Sequence, residues 1–158
     1  MNQSGLSLIH RTPLSASAPA EQHAELRQAL DAYRSGEFET AFSLWRKHAR
    51  EGVGWAQFCL AVMYEKGQAT KCRPELALQW YGEAAQRGVL DAQINLAVLC
   101  DSGDVGEADP QEAAHWYDKA AQQGDACAQF RLGQLFDRGH GVEHDAQKAA
   151  DWYRKAAE

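Results

Sequence analysis

Apolar side chains recur along this chain at intervals of three and four residues, and the whole pattern repeats every 36 residues. Such spacing places the apolar positions on one face of a helix. The period is marked by three Trp-Tyr pairs, at Trp80-Tyr81, Trp116-Tyr117 and Trp152-Tyr153. A fixed period of roughly 20 to 50 residues is the signature of a solenoid, in which each repeat packs on its neighbours. The pattern therefore predicts an all-α fold, a right-handed superhelix of about four helix pairs.

Two helices are predicted in each full repeat. The first begins with an Ala-Gln pair, and the second contains the Trp-Tyr pair followed by Ala-Ala. Gly67, Gly103 and Gly139 are placed to end the first helices, because a helix commonly ends at a glycine in the left-handed conformation. Asp109 and Asp145 precede the second helices, where aspartate is a preferred N-cap.

The same register divides the chain into segments. Residues 1–20 contain prolines within a Ser/Ala-rich stretch and are predicted to form a flexible tail. Residues 21–158 are predicted to form a single solenoid domain with repeats at 21–53, 54–89, 90–125 and 126–158. The first of these repeats fits the template with a shorter loop.

Composition narrows the classes of partner. The formal net charge is −6, from 16 basic and 22 acidic residues, whereas nucleic-acid binding needs a basic face. No apolar run approaches the length of a membrane span, and the N-terminus does not resemble a secretory signal. We therefore expect a cytoplasmic protein that binds neither nucleic acid nor membranes.

Each repeat reads Ala-x-x-x-Leu-small-x-x-aromatic-x-x-Gly, a loop, and then Ala-x-x-Trp-Tyr-x-x-Ala-Ala-x-x-Gly. This pattern resembles the Sel1-like repeat family, a longer relative of the tetratricopeptide repeat. The resemblance implies a non-enzymatic scaffold or adaptor, without a cofactor, that binds another protein or peptide. Some bacterial members resemble immunity proteins that bind a toxic effector, so a bacterial regulatory or toxin-immunity role falls within this expectation.

In superhelical arrays of helix pairs, the first helix of each pair lines the concave face. By register with the tetratricopeptide pattern, the partner-binding positions are expected at Trp55, Phe58, Val62, Glu65, Asp91, Ile94, Val98, Asp101, Phe130, Gln134 and Asp137. One acidic column (Glu65, Asp101 and Asp137) favours a partner with basic residues as well as apolar anchors. Alternatively, these carboxylates pair with Lys66, Arg138 or bases in the loops.

Trp55 is the sharpest single candidate on this face, because the repeat does not require a large aromatic residue there. The column of Phe58, Ile94 and Phe130 has an alternative explanation, since it is also suited to packing against the second helices. At the C-terminal end, Trp152 and Tyr153 are expected to be partly exposed and to offer an apolar surface for self-association.

The four cysteines have spacings that ignore the period, which favours free thiols: Cys59, Cys72, Cys100 and Cys127. A cysteine-rich branch of the resembled family is linked to β-lactam binding. Its disulfides join helices within each repeat through cysteines at matching positions, which this chain lacks. A small-ligand enzyme or β-lactam-binding protein of that branch is the alternative function.

Chemistry beyond binding has little support in the pattern. His140 and His144, with Asp137 and Asp145 nearby, have a spacing that would suit a metal ion on a helix, but they span a glycine-containing loop. Cys72 has two basic neighbours, yet no base to activate the thiol can be identified. We predict no catalytic residue and no metal site.

Overall fold

The computed structural model describes residues 20–158 of the chain. Eight α-helices and no strand form this described part. They are α1 (Ala20–Arg34), α2 (Phe38–Arg50), α3 (Gly54–Lys66), α4 (Pro74–Gln86), α5 (Leu90–Ser102), α6 (Pro110–Gln122), α7 (Ala126–Arg138) and α8 (Ala146–Ala156). The all-α class and the four helix pairs are confirmed, while the predicted tail lies outside the described residues except for Ala20.

The helices form two compact units, and the boundary falls between Val89 and Leu90. Unit 1 contains α1 to α4 and unit 2 contains α5 to α8, and within each unit every helix packs against the next. The boundary coincides with the predicted end of the repeat at 54–89. That all four repeats form a single domain stays a prediction.

The ends of the helices follow the predicted signals. Gly67 and Gly139 adopt the left-handed conformation at the C-terminal ends of α3 and α7. The carboxylates of Asp109 and Asp145 accept hydrogen bonds from backbone amides in the first turns of α6 and α8, at 2.9 and 3.0 Å. Asp125 caps α7 in the same way at 2.7 Å, a cap that the sequence pattern did not single out.

The Trp-Tyr pairs contribute to the core of each unit. In unit 1, Tyr81 is fully buried and Trp80 is half-buried. In unit 2, Trp116 and Tyr117 are both buried. Large side chains alternate with alanines that are also buried, which lets aromatic rings fill the space between helices.

The Ala-Gln pair joins each of two first helices to the second helix of the preceding repeat. The side-chain amide of Gln57 donates to the carbonyl of Ala49 at 3.1 Å, and that of Gln129 donates to the carbonyl of Ala121 at 3.2 Å. Both bonds are buried, so they satisfy carbonyls at a helix end that water does not reach. They hold α3 and α7, the helices that carry most of the candidate residues, in a defined register.

Candidate functional site

Burial divides the predicted binding positions of α3 into two groups. Phe58 is fully buried and Val62 is 1% exposed, so a partner does not reach either side chain. Both were predicted to contact the partner, and their burial corrects that prediction in favour of packing within the fold. Trp55 is half-buried and Glu65 is exposed, so these two remain accessible in unit 1.

Part of the surface of Trp55 is used inside unit 1. Its ring lies 5.1 Å from that of Phe58, measured between centroids, and Phe58 lies 5.8 Å from Tyr81. These tilted contacts form a continuous aromatic stack from the start of α3 to the middle of α4. Trp55 therefore covers Phe58 and presents only its remaining surface to solvent.

Unit 2 places the equivalent apolar positions differently. Ile94 is half-buried, whereas Val98 on α5 is 47% exposed and Phe130 on α7 is 48% exposed. These two are the exposed large hydrophobic side chains among the described residues. Asp91 and Gln134 are half-buried. Exposed apolar side chains on successive first helices distinguish this unit.

Two of the three carboxylates in the acidic column have partners within the fold. The hydroxyl of Tyr81 donates to a carboxylate oxygen of Glu65 at 2.7 Å. The carboxylate of Asp101 lies 3.2 Å from Nε2 of His140, a base in the loop after α7. Asp137 is exposed. For Asp101, the alternative of pairing with a loop base therefore describes the structure.

A polar cavity lies beside Asp101 within unit 2. It encloses about 290 Å³ and is lined by Asp101, Tyr117, Arg131, Gln134, Leu135, Arg138, Gly139 and His140. Burial raises the pKa of the Tyr117 hydroxyl, the Asp101 carboxylate raises it further, and the Arg131 guanidinium opposes both effects. The hydroxyl is thus a neutral hydrogen-bond donor near neutral pH.

Arg131 also lines an apolar groove. It measures about 780 Å³ and is lined by Ala126, Cys127, Phe130, Arg131, Tyr153, Ala156 and Ala157. The rings of Phe130 and Tyr153 meet there with their centroids 5.4 Å apart. Tyr153 also packs tightly on α7, because a methyl group on Gly133 would lie 2.8 Å from its ring carbons.

The two residues predicted for self-association, Trp152 and Tyr153, lie in different surroundings. Trp152 and Tyr153 are both half-buried. The ammonium group of Lys155 lies 4.1 Å from the centre of the Trp152 ring, so a cation already covers one face of it. Only Tyr153 lines the groove.

The cysteines and histidines of the described part of the chain were the candidates for a reactive thiol or a metal site. All four cysteines are free thiols. Burial, and after it the carboxylates of Glu112 and Asp109, raise the pKa of Cys100 to about 11, which disfavours the nucleophilic thiolate. The Nδ1 atom of His144 is within hydrogen-bond distance of two backbone carbonyls. Between residues 20 and 158, no three His, Cys, Asp or Glu side chains are grouped as metal ligands would be.

Sequence reasoning missed Arg131, Arg138 and the hydroxyl of Tyr117 as candidate functional groups. A signal for the two arginines was present, because Arg131, Gln134 and Arg138 are spaced by three and four residues and share one face of α7. Tyr117 was assigned to the core through its Trp-Tyr pair, and burial of its ring does not reveal that its hydroxyl lines a cavity.

None of the helices between residues 20 and 158 is long and apolar enough to cross a membrane. No curated protein matches the sequence significantly. Among solved structures, a Sel1 repeat protein from Oxalobacter formigenes is 33% identical, with a TM-score of 0.79 over 86% of this chain and 40% of that one. A protective antigen of uropathogenic Escherichia coli, described as displaying an SLR fold, is 30% identical, with a TM-score of 0.78 over 86% of this chain and 30% of the antigen.

Cysteine rich protein B of Helicobacter pylori shares the fold at 18% identity, with a TM-score of 0.58 over 77% of this chain and 86% of that protein. The chain spans less than half the length of the first two structures. These likenesses confirm the predicted solenoid class of helix-pair repeats. The model of the Sel1 repeat matches residues 56–89, 90–125 and 128–158, which is more than half of the sequence. The chain therefore belongs to the Sel1 repeat family, whose members are typically protein-interaction scaffolds rather than enzymes.

Proposed function

We propose that this protein is a non-enzymatic adaptor that binds a partner protein or peptide through the first helices of unit 2. The observation that carries the proposal is the exposure of Val98 and Phe130, at 47% and 48%. Covering such apolar side chains with a partner removes their surface from water, which contributes favourably to binding. Both belong to the set predicted from the repeat register alone.

Polar groups on the same first helices, and on the loop after α7, supply the polar rim that commonly surrounds the apolar centre of an interface. Asp101 with His140, and the half-buried Gln134, lie on the same pair of first helices or on the loop that follows. Such a rim favours specificity, because each group left without a hydrogen bond in a wrong complex weakens that complex. We call Val98, Asp101, Phe130, Gln134 and Asp137 the first-helix surface.

In unit 1, we propose Trp55 and Glu65 as a further contact region, since they are the accessible members of the predicted set. The three solved relatives come from bacteria, which supports a bacterial regulatory setting. A toxin-immunity role is one form of this proposal, and a toxin gene beside the gene for this chain would favour it. The β-lactam-binding alternative loses its main support, because it depends on disulfides and all four cysteines are free.

Affinity capture from the cells that express the protein tests the proposal. The test variant combines Val98→Ser with Phe130→Ser. The control variant combines His115→Ser with Lys119→Ser, which alters two exposed positions of α6 instead. We expect the wild type and the control to retain the same partner, and the test variant to lose most of it while keeping its helical circular dichroism. Equal capture by both variants, or no partner for the wild type, would contradict the proposal.

Trp55→Ala is tested in the same experiment. If Trp55 contacts the partner, capture falls although Val98 and Phe130 are intact. Unchanged capture would restrict the interface to unit 2.

A further inference from the structure

The groove beside Phe130 corresponds to a position that another repeat of the same chain fills with an indole ring. Phe58 and Tyr81 lie 72 residues before Phe130 and Tyr153, and the two ring pairs have similar centroid distances of 5.8 and 5.4 Å. In the earlier repeat, Trp55 stacks on Phe58 at 5.1 Å, and Phe58 is fully buried. In the later repeat, Cys127 stands at the position of Trp55, and Phe130 is 48% exposed.

This comparison indicates what the groove accepts. A cysteine side chain is much smaller than an indole, so the surface that Trp55 covers in one repeat is left open in the other. In the groove lined by Cys127, Phe130 and Tyr153, the Phe130 ring is therefore open to stacking by an aromatic ring from outside this repeat, as Trp55 stacks on Phe58.

The polar cavity, which Arg131 lines as well, contains hydrogen-bond donors that lack acceptors. The side chain of Tyr117 is 4% exposed, and within residues 20–158 its hydroxyl has no hydrogen-bond partner, although it lines the cavity. In the repeat before it, the equivalent hydroxyl of Tyr81 donates to Glu65. In unit 2 the equivalent acid, Asp101, is shorter by one methylene group and lies against His140. The Tyr117 donor is thus available to a ligand.

Charge in the cavity favours an anion. Arg131 and Arg138 both line it, and in the described part of the chain the Arg138 side chain makes no ion pair or hydrogen bond. Arg131 donates to Gln134 at 3.2 Å and retains further N–H donors. The lining contains one carboxylate, that of Asp101, which already lies against the His140 ring. The lining is therefore positive in a chain whose net charge is −6.

We propose that unit 2 binds a peptide segment of the partner, and that this segment carries an aromatic side chain and a nearby carboxylate. The aromatic ring occupies the groove on Phe130 and Tyr153. The carboxylate enters the cavity, where Arg131, Arg138 and the Tyr117 hydroxyl donate to it. Arg131 lines both sites, so one short segment reaches the two. This inference rests on the proposed function and names the chemistry of its partner.

Blocked synthetic peptides test the proposal on the full chain. Each contains one aspartate and one tryptophan separated by one to four glycines. One control series has lysine in place of aspartate, and the other has alanine in place of tryptophan. Binding is followed by amide chemical shifts of α7 and α8 in ¹⁵N-edited NMR spectra. We expect at least one spacing to bind, and both controls to bind about tenfold or more weakly, because each loses a charge-assisted hydrogen bond or an aromatic contact.

Two variants assign the binding to the two sites. Cys127→Trp supplies the missing indole from within the chain and should weaken binding about tenfold, whereas His115→Trp, an exposed control on α6, should leave it unchanged. Arg131→Gln combined with Arg138→Gln should remove the preference for aspartate over lysine. Circular dichroism melting of each variant verifies that the fold is retained.

Other results would overturn the proposal. They include no binding at any spacing, equal binding of the lysine peptides, and binding that Cys127→Trp does not change. A wild-type dimer in light scattering that Cys127→Trp dissociates would show that a second copy occupies the groove instead. Val98 lines neither site, so loss of the cellular partner in Val98→Ser alone with retention in Cys127→Trp would uphold the proposed function and refute only this inference.

Discussion

One position in the loop between the two helices of a repeat has a left-handed backbone conformation in two repeats, although the amino acid there differs. Gly141 adopts a φ of 72°, and Ala69, which lies 72 residues earlier, adopts a φ of 58°. Both angles belong to the left-handed region, where a Cβ atom is crowded by the backbone and glycine is favoured. The loop therefore keeps its conformation in the earlier repeat at the expense of strain in Ala69.

Replacing Gly141 with alanine tests whether this loop position tolerates a side chain in the later repeat. A methyl group there would overlap the backbone carbonyl of Pro110, which cannot move without shifting the start of α6. We expect Gly141→Ala to lower the free energy of unfolding by about 2 kcal/mol or more, from the strained φ and the overlap together. Urea denaturation measures the change. Gly82→Ala is the control, because a Cβ atom at Gly82 meets no other atom within 4 Å. A loss in Gly141→Ala no larger than in the control would contradict the prediction.

Replacing Ala69 should have the opposite sign. Glycine adopts a positive φ without a steric penalty, although it gains more freedom in the unfolded chain. The balance predicts that Ala69→Gly raises the free energy of unfolding by about 0.5–1 kcal/mol. The same urea titration detects it, and a destabilised variant would show that Ala69 is not strained.

The apolar column shows the limit of residue-scale prediction. Phe58 and Phe130 occupy equivalent positions, yet one is fully buried and the other is half exposed. The repeat pattern assigns both to the same position, but burial depends on all the side chains that pack around that position, and one of them differs, Trp55 in the earlier repeat and Cys127 in the later one. The accessibility expected of both positions is therefore found at Phe130 and not at Phe58, and contact of Phe130 with a partner stays a prediction.

At the scale of elements, helix ends were the most predictable feature. Asp109, Asp145, Gly67 and Gly139 all cap helices where the sequence placed them. Such signals are local, since a cap bonds to amides or carbonyls of its own helix. The Ala-Gln pair was visible in the sequence as a repeat, but its long-range bond was not, because the acceptor belongs to another helix.

Removing that bond should loosen the contact between α6 and α7. Gln129→Leu keeps the side-chain volume but leaves the Ala121 carbonyl without its donor in a buried place. We expect the free energy of unfolding to fall by about 1–3 kcal/mol, the cost of an unsatisfied buried polar group. Thermal and urea denaturation measure it. Gln147→Leu, which alters an exposed glutamine, should change stability by less than about 0.5 kcal/mol. Equal effects of the two variants would argue against the role of the bond.

For the whole molecule, paired carboxylates predict how stability depends on pH. The hydrogen bond from Lys47, with a further one from His48, lowers the pKa of Glu25 below its ordinary value of 4.5, against the opposing effect of desolvation. In the same way, the hydrogen bond from the backbone amide of Lys148 lowers the pKa of Asp145 below its ordinary value of 3.8. Each carboxylate therefore stabilises the fold above its unfolded-state pKa, and this contribution is lost as the pH falls through the lower folded-state value.

We accordingly expect the urea midpoint to decrease as the pH falls below about 4.5. In a Glu25→Gln variant this decrease should be shallower. At the alkaline end, the hydrogen bond to Glu25 raises the pKa of Lys47, so its contribution is present below 10.5 and is lost only above that value. A midpoint that rises on acidification, or an unaltered slope in Glu25→Gln, would contradict this assignment.

The candidate site is built from several helices and a loop of unit 2, and only part of it was predictable from the sequence. The repeat register located Val98, Phe130 and the acidic column on the first helices. It did not show that Asp101 is met by His140, or that Arg131 and Arg138 surround the Tyr117 hydroxyl, because these contacts join α5, α6, α7 and a loop. The expectation of basic residues on the partner, beside its apolar anchors, rested on free carboxylates, and the pairing of Asp101 and Glu65 weakens that part of it.

Site-specific photo-crosslinking can show whether the first-helix surface of unit 2 contacts a partner. A photoreactive phenylalanine analogue is introduced in living cells at position 98, 130, 115 or 119, one position at a time. We expect positions 98 and 130 to form a covalent adduct with the same protein, and positions 115 and 119 on α6 to form none. Adducts from 115 and 119 that equal those from 98 and 130, or no adduct from 98 and 130, would contradict it.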